Sequence, residues 1–197
     1  LAGHPSDSFR IKHGQYDQEY EADFHLDTAQ FSLRFPGDPP RAVQLQDDQC
    51  SVENPDDPEN NLLKTGIGKM RCKSIRFMRD YMHFLYTLPL NLQDANMEIR
   101  SEVRKEEFGG RETLSFQAYF PGDKYVWEFF FDPNTYALVG TSFSKDAARS
   151  YGEFIVFEGE INAHGIRLPR HRKWHFYQDG QYIATDELRD LKLRKGK

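Results

Sequence analysis

The stretch KYVWEFFF, residues 124–131, decides the fold, because aromatic side chains occupy every second position in it. Side chains along a β-strand point alternately to its two faces, so these rings share one face of a predicted strand. We call them the aromatic stripe, and they are Tyr125, Trp127, Phe129 and Phe131. Such a stripe is typical of an ordinary core. Its functional interpretation is the lining of a cavity for an apolar ligand.

Turn signals on both sides of this strand predict an antiparallel meander. PGD at residues 121–123 precedes the strand, and DPNT at residues 132–135 follows it. The run before it, residues 114–120, alternates in the same way and starts after a Gly-Gly turn. Short connections of this kind join antiparallel strands. Further strands are predicted at residues 20–26, 29–35, 41–45, 97–103, 136–144, 154–162, 166–178 and 182–193.

One segment, residues 73–88, breaks the period of two and predicts an amphipathic helix. Its apolar residues recur at spacings of three and four, and they are Ile75, Phe77, Met78, Tyr81, Met82, Phe84, Leu85 and Leu88. Pro89 ends the helix, because proline cannot continue its hydrogen bonding. The available partner for the apolar face is the inner face of the sheet. We therefore expect an α+β, mainly antiparallel fold, a curved sheet covered by one central helix, in a single domain over residues 1–197.

Charge and hydropathy bear on the partners and the location of the protein. Lys and Arg total 26 against 31 Asp and Glu, and the net charge of -5 leaves no basic stripe to follow a nucleic acid backbone. Apolar runs such as residues 129–131 are far shorter than the about 18 residues of a membrane-spanning helix. No charged and then apolar leader stands at Leu1, so we expect a cytoplasmic protein or a secreted one without its signal.

Two cysteines, Cys50 and Cys72, flank a polar segment that contains NPDDPENN at residues 54–61. Its Pro, Asn and Asp content predicts a loop. A disulfide between the cysteines would close this loop, add about 3 kcal/mol of stability and require an oxidising compartment. The alternative is two unrelated buried thiols.

The sequence contains no recognisable catalytic motif and no metal motif. A serine-nucleophile elbow, a His-Glu-x-x-His pair and EF-hand spacing are all missing, and GIGK at residues 66–69 lacks the other positions of a phosphate loop. His171 and His175 lie in an alternating run, where residues four apart are separated by about 13 Å and cannot share one ion. An acidic group is interpreted as a solvated loop; it comprises Asp47, Asp48, Glu53, Asp56, Asp57 and Glu59. We expect no enzyme, no metal and no cofactor.

Three segments carry a resemblance to a known superfamily. They are YMHFLYTLPLNL at residues 81–92, FDPNTYAL at residues 131–138 and GIRLP at residues 165–169, the last followed by Trp174 and by an Asp-Gly turn. Their order resembles the lipoprotein-carrier superfamily of LolA and LolB, and more closely a family of uncharacterised secreted bacterial proteins assigned to it. The resemblance implies an unclosed β-barrel that holds acyl chains between sheet and helices in the periplasm or cell envelope. The segment of residues 1–8 is short and polar, so we do not predict there the amphipathic helix that precedes the first strand in this superfamily.

Two functions from different classes follow. The first is a carrier or binding protein for a lipid or acyl chain, whose site comprises Trp127, Phe129, Phe131, Met78, Tyr81, Met82 and Leu85. The second is a structural or partner-binding envelope domain whose core is filled by its own side chains. The sequence indicates no particular protein partner. The volume of the cavity beneath the helix would separate the two.

Overall fold

The computed structural model describes residues 6–13, 18–25, 30–35, 41–46, 49–53, 72–92, 96–99, 102–120, 124–145, 151–163, 165–189 and 192–194. The strands are β1 Ser6–His13, β2 Gln18–His25, β3 Phe31–Phe35, β4 Arg41–Gln46, β5 Gln49–Glu53, β6 Glu98–Ile99, β7 Arg104–Phe108, β8 Arg111–Tyr119, β9 Val126–Phe131, β10 Leu138–Ser144, β11 Gly152–Ala163, β12 Ile166–Phe176, β13 Tyr182–Glu187 and β14 Lys192–Arg194. The helix α1 spans Cys72–Thr87, and a 3-10 turn follows at Leu90–Leu92. The predicted loop at residues 54–61 lies outside the described residues.

The chain forms two compact units. The first consists of Leu1–Thr87, Ile161–Leu168 and Glu187–Lys197, and the second of Leu88–Glu160 and Pro169–Asp186. Units defined by contacts do not test whether each part folds independently. The expectation of a single domain over residues 1–197 therefore stays a prediction.

A six-stranded antiparallel sheet, in the order β14-β1-β2-β3-β4-β5, forms the first unit together with α1. Its core is built by cross-strand pairs, since Phe31 faces Leu45 and Leu33 faces Val43, and all four side chains are buried. Alternate residues of a strand share one face, so these pairs place the apolar side of β3 and β4 together. The strands β1 and β5 were not predicted.

The helix α1 matches its prediction to within one residue at each end. Ile75, Leu85 and Tyr86 are buried on it, and the helix contacts β4 and β5 of the six-stranded sheet. The side-chain hydroxyl of Thr87 donates to the carbonyl of His83 at 2.5 Å, which satisfies one of the last carbonyls of the helix. The helix ends two residues before Pro89, one residue earlier than the sequence predicts.

The larger sheet has eight strands in the order β13-β12-β11-β10-β9-β8-β6, with β7 also pairing to β8. Among the described strands, the two end strands of each order do not pair with each other, so each sheet is unclosed. The described residues contain a single α-helix, and the strand pairs are antiparallel. This confirms the predicted fold class, although the strands form two sheets where one curved sheet was expected.

Two predicted strands are interrupted. Among the described residues of the predicted strand at 97–103, only Glu98 and Ile99 are in a strand, β6, and β7 begins at Arg104. Both β6 and β7 pair with β8. Ile99 and Val103 are 56% and 62% exposed, which shows that their alternation did not reflect burial. Residues 182–193 are divided into β13 of the larger sheet and β14 of the smaller sheet. Alternation alone does not reveal that a chain changes sheets.

Candidate functional site

The aromatic stripe lies in the second unit, at the centre of the meander β8-β9-β10. Cross-strand partners extend its face, because Phe116 of β8 faces Phe129 and Phe143 of β10 faces Trp127. The ring of Trp127 lies 5.0 Å from that of Phe143, and the ring of Phe116 stacks on that of Phe131 at 5.7 Å. Contacts of this kind between aromatic rings add to the free energy of apolar burial. The predicted stripe is therefore part of an aromatic surface three strands wide.

Exposure varies along the stripe. Phe129 is fully buried and Trp127 is 7% exposed, whereas Phe131 and Phe116 are half-buried. The buried middle of the stripe thus has the packing of an interior surface, and its end at Phe131 is more accessible.

Buried polar groups lie on β12 and β13 in the same unit. The indole Nε1 of Trp174 donates to Oδ2 of Asp186 at 2.9 Å, and both side chains are buried. Arg172 is fully buried, donates from Nη1 to the carbonyl of Pro169 at 3.0 Å, and lies 5.6 Å over the ring of Phe157. Sequence reasoning missed Arg172, although its alternation with Trp174 placed both residues on one strand face.

The opposite face of β9 carries a second core and an ion pair in which the carboxylate is buried and the arginine is exposed to solvent. The ring of Phe130 stacks on that of Phe108 at 3.8 Å. On the same face, Glu128 is 2% exposed and accepts a hydrogen bond from Nη2 of Arg104 at 2.5 Å. Ser115 lies between carboxylates, donating to Glu106 and standing 3.4 Å from Glu128. Buried charges need such partners. These groups satisfy one another within the sheet.

The helix residues of the predicted site lie in the first unit. Met82 and Leu85 are buried, and Tyr81 is half-buried. Met78 lies within α1, and its side chain is outside the described part of the structure. The stripe and the helix therefore belong to different units, and their meeting in one ligand site stays a prediction.

The cysteines and the acidic group are only partly described. Cys50 lies on β5 and is disulfide-bonded. The only other cysteine of the chain, Cys72, is the first residue of α1, and its side chain is outside the described residues. Its pairing with Cys50 stays a prediction. Glu53 is the last residue of β5, and the other five members of the acidic group lie outside the described residues.

The histidine pair lies on β12, a strand as predicted. The interpretation of a solvent-facing surface needs a correction at His175, because its ring is half-buried and stacks on Phe154 at 4.8 Å. Among the described residues, no group of three His, Cys, Asp or Glu side chains is placed to hold a metal ion. Within the same part of the chain, no helix has the length and apolar character needed to cross a bilayer.

A small cavity of about 230 Å³ opens beside the aromatic surface of the second unit. Its walls are Tyr125, Phe143, Tyr151, Gly152, Glu153, Phe176, Gln178 and Asp179. Burial raises the pKa of the Glu153 carboxyl above its ordinary value. Residues from the start of β9, from β10 and β11 and from the turn after β12 form the cavity, and this combination was not predicted from the sequence.

Two solved structures match this chain at low sequence identity. One is a crystal structure of a DUF1329 family protein from Desulfovibrio piger, with 11% identity over 96% of this chain and 86% of that chain and a TM-score of 0.52. The other, from Vibrio parahaemolyticus, is described as a domain of an outer membrane lipoprotein-sorting protein, with 10% identity over 98% and 86% of the two chains and a TM-score of 0.46. The first shows a shared fold, and the second is too distant to carry an argument. No protein-family model and no curated protein matches the chain.

Proposed function

We propose that the protein is a non-catalytic binding or carrier protein for an apolar ligand, a lipid or acyl chain, in the periplasm or cell envelope. The observation that supports it is the aromatic surface of β8, β9 and β10, in which Phe116, Trp127, Phe129 and Phe143 share one sheet face. Its end at Phe131 is half-buried, which leaves ring surface for an incoming chain. The resemblance to the lipoprotein-carrier superfamily supports the same function.

Two further observations are compatible with an envelope location. Cys50 is disulfide-bonded, and disulfides persist in oxidising compartments such as the periplasm. The resemblance to the lipoprotein-carrier superfamily also implies a location in the periplasm or cell envelope. The residues predicted from the sequence to bind the ligand are Trp127, Phe129 and Phe131 of the aromatic stripe and Met78, Tyr81, Met82 and Leu85 of α1.

A second candidate is favoured by the burial of the middle of the stripe. Phe129 is fully buried and Trp127 nearly so, as expected of a core filled by its own side chains. In that case the protein is a structural or partner-binding domain of the envelope. The carrier proposal predicts measurable affinity for a hydrocarbon chain, and the self-filled core predicts none.

A titration with fatty acids of increasing length tests the proposal. Each methylene buried adds about 0.8 kcal/mol, so the dissociation constant should fall close to fourfold per CH₂ until the cavity is full. Binding can be followed by the intrinsic fluorescence of Trp127 and Trp174, because both rings contact Phe143. Native mass spectrometry of protein from its own host provides a second readout through co-purified lipid.

The strand β9 itself offers a matched control. Phe129 and Phe130 are adjacent, equally buried and on opposite faces of the strand. Phe129→Leu should change the dependence of affinity on chain length, whereas Phe130→Leu should lower stability and leave that dependence intact. Undetectable affinity at every length, or equal effects of the two variants, would favour the self-filled core.

A further inference from the structure

The small cavity of the second unit lies within a single unit and differs in character from the aromatic surface. Its volume of about 230 Å³ is below the roughly 300 Å³ at which pockets begin to hold drug-sized molecules. It therefore suits one compact chemical group. Two of its walls, Phe143 and Glu153, are cross-strand partners on β10 and β11, so the backbone pairing holds them together.

The charged side chains in the wall of the cavity are acidic. Among the described residues, the lining includes the carboxylates of Glu153 and Asp179 and no Lys, Arg or His, and the nearby ammonium groups of two lysines lie outside this lining. Asp179 accepts a hydrogen bond on Oδ1 from the backbone N–H of Gln181 at 2.9 Å, which orients its carboxylate. In the described part of the chain, no side chain forms an ion pair or hydrogen bond with the carboxylate of Glu153. A half-buried carboxylate without a counter-charge is stabilised by a cation that enters beside it.

The aromatic walls favour a cation of a particular kind. Tyr125 and Phe143 meet edge to face at 5.6 Å, and Tyr151 and Phe176 complete the ring-lined part of the cavity. The protein's own ammonium groups already approach these rings, because Nζ of Lys145 lies 4.2 Å from the ring centre of Tyr151. A second lysine lies 5.2 Å over Tyr125. Both distances are within the about 6 Å of a cation–π contact.

We propose that this cavity binds a quaternary ammonium group. Ring faces attract such a group electrostatically, and its methyl groups fill an aromatic cage without needing hydrogen bonds. The carboxylates of Glu153 and Asp179 supply the opposite charge. The group can belong to a free choline-like molecule or to the head group of a phosphocholine lipid. The cavity shares Tyr125 with the aromatic stripe and Phe143 with the aromatic surface, whereas its carboxylates, Glu153 and Asp179, belong to the cavity alone. Choline carries no acyl chain, so its binding tests the cavity apart from the proposed acyl-chain site.

Isothermal titration calorimetry with choline chloride tests the proposal. The control ligand is 3,3-dimethyl-1-butanol, which has the shape of choline without the charge, and sodium chloride controls for ionic strength. Choline should bind and the neutral alcohol should not. Glycerophosphocholine, which carries the head group without acyl chains, separates the sources: tighter binding than choline indicates a lipid head group, and weaker binding indicates a free cation.

Variants tie the binding to this cavity. Glu153→Gln should weaken choline binding at least about tenfold, because it removes a nearby opposite charge. Tyr151→Leu should weaken it about fivefold through loss of one ring face. The matched controls are Glu158→Gln, on the same strand but paired with Lys173, and Tyr182→Leu, an exposed tyrosine outside the cavity. Circular dichroism would verify that each variant is folded.

Three results would overturn the proposal. They are the absence of choline binding to the folded protein, equal affinity for the neutral alcohol, and unchanged affinity in both cavity variants. Fatty acid binding that survives all of these would leave the acyl-chain proposal intact, so the two proposals fail separately.

Discussion

The ring of Phe108 lies over a glycine in the sheet, and removing it should destabilise the second unit strongly. Phe108 stacks on Phe130 with an interplanar angle of 8° and meets Phe154 edge to face at 5.8 Å. A Cβ added to Gly140 would clash with Cε1 of Phe108, so the ring occupies the space that the missing side chain leaves. Phe108→Ala should lower the free energy of unfolding by about 3–5 kcal/mol.

The reverse change at the glycine should also destabilise, for a different reason. In Gly140→Ala the new methyl group meets the ring of Phe108 and, at 2.6 Å, the carbonyl oxygen of Ile155. Overpacking of this kind costs about 1–3 kcal/mol. In the double variant the clash with the ring is absent and only that with the carbonyl remains. The losses of unfolding free energy in Phe108→Ala and Gly140→Ala should therefore add up to at least about 1 kcal/mol more than the loss in the double variant.

Urea unfolding followed by far-ultraviolet circular dichroism measures these differences. Val103→Ala is the control, because Val103 is exposed just before β7 and its loss should change stability by less than about 0.5 kcal/mol. Strict additivity of Phe108→Ala and Gly140→Ala, or a loss below about 1 kcal/mol for Phe108→Ala, would refute the packing of the ring over the glycine.

Three further predictions concern single interactions. Trp174→Phe removes the hydrogen bond to the buried Asp186 and should lower the free energy of unfolding in urea by about 1.5–3 kcal/mol. A loss under about 0.5 kcal/mol would contradict a stabilising role of this bond. Backbone hydrogen bonds from Thr135 and the residue before it hold the pKa of Asp132 below its ordinary value, so its stabilisation is present above the unfolded pKa and lost as pH falls through the folded one. The difference in Tm between wild type and Asp132→Ala should thus shrink on acidification, and a constant difference would count against this. Finally, intact mass after alkylation without reductant should show neither cysteine modified, whereas labelling of both would exclude their predicted disulfide.

Local pattern predicted the aromatic stripe, which follows from alternation in residues 125–131. Alternation also places Arg172 on the strand face of Trp174, although the burial of Arg172 was not predicted. The cavity of the second unit could not be predicted, because Tyr125, Phe143 and Glu153 come from separate strands whose register is a property of the folded sheet. The turn after β12 adds a further wall that no spacing rule connects to them.

The sequence by itself determined the period of the strands, the helix with its end before Pro89, and the one-sided distribution of aromatic rings. Each of these features depends on residues within a few positions of one another, where the geometry of a strand or helix sets the spacing of apolar residues. Only the tertiary structure shows that Ser115 of β8 and Glu128 of β9 are buried, although both residues are polar. It also shows that Gly140 lies beneath the ring of Phe108. It also divided the last strands between two sheets. Burial and sheet membership depend on which distant segments pack together. The free energy gained by removing apolar surface from water depends on both packed segments, so neither segment's sequence predicts it alone.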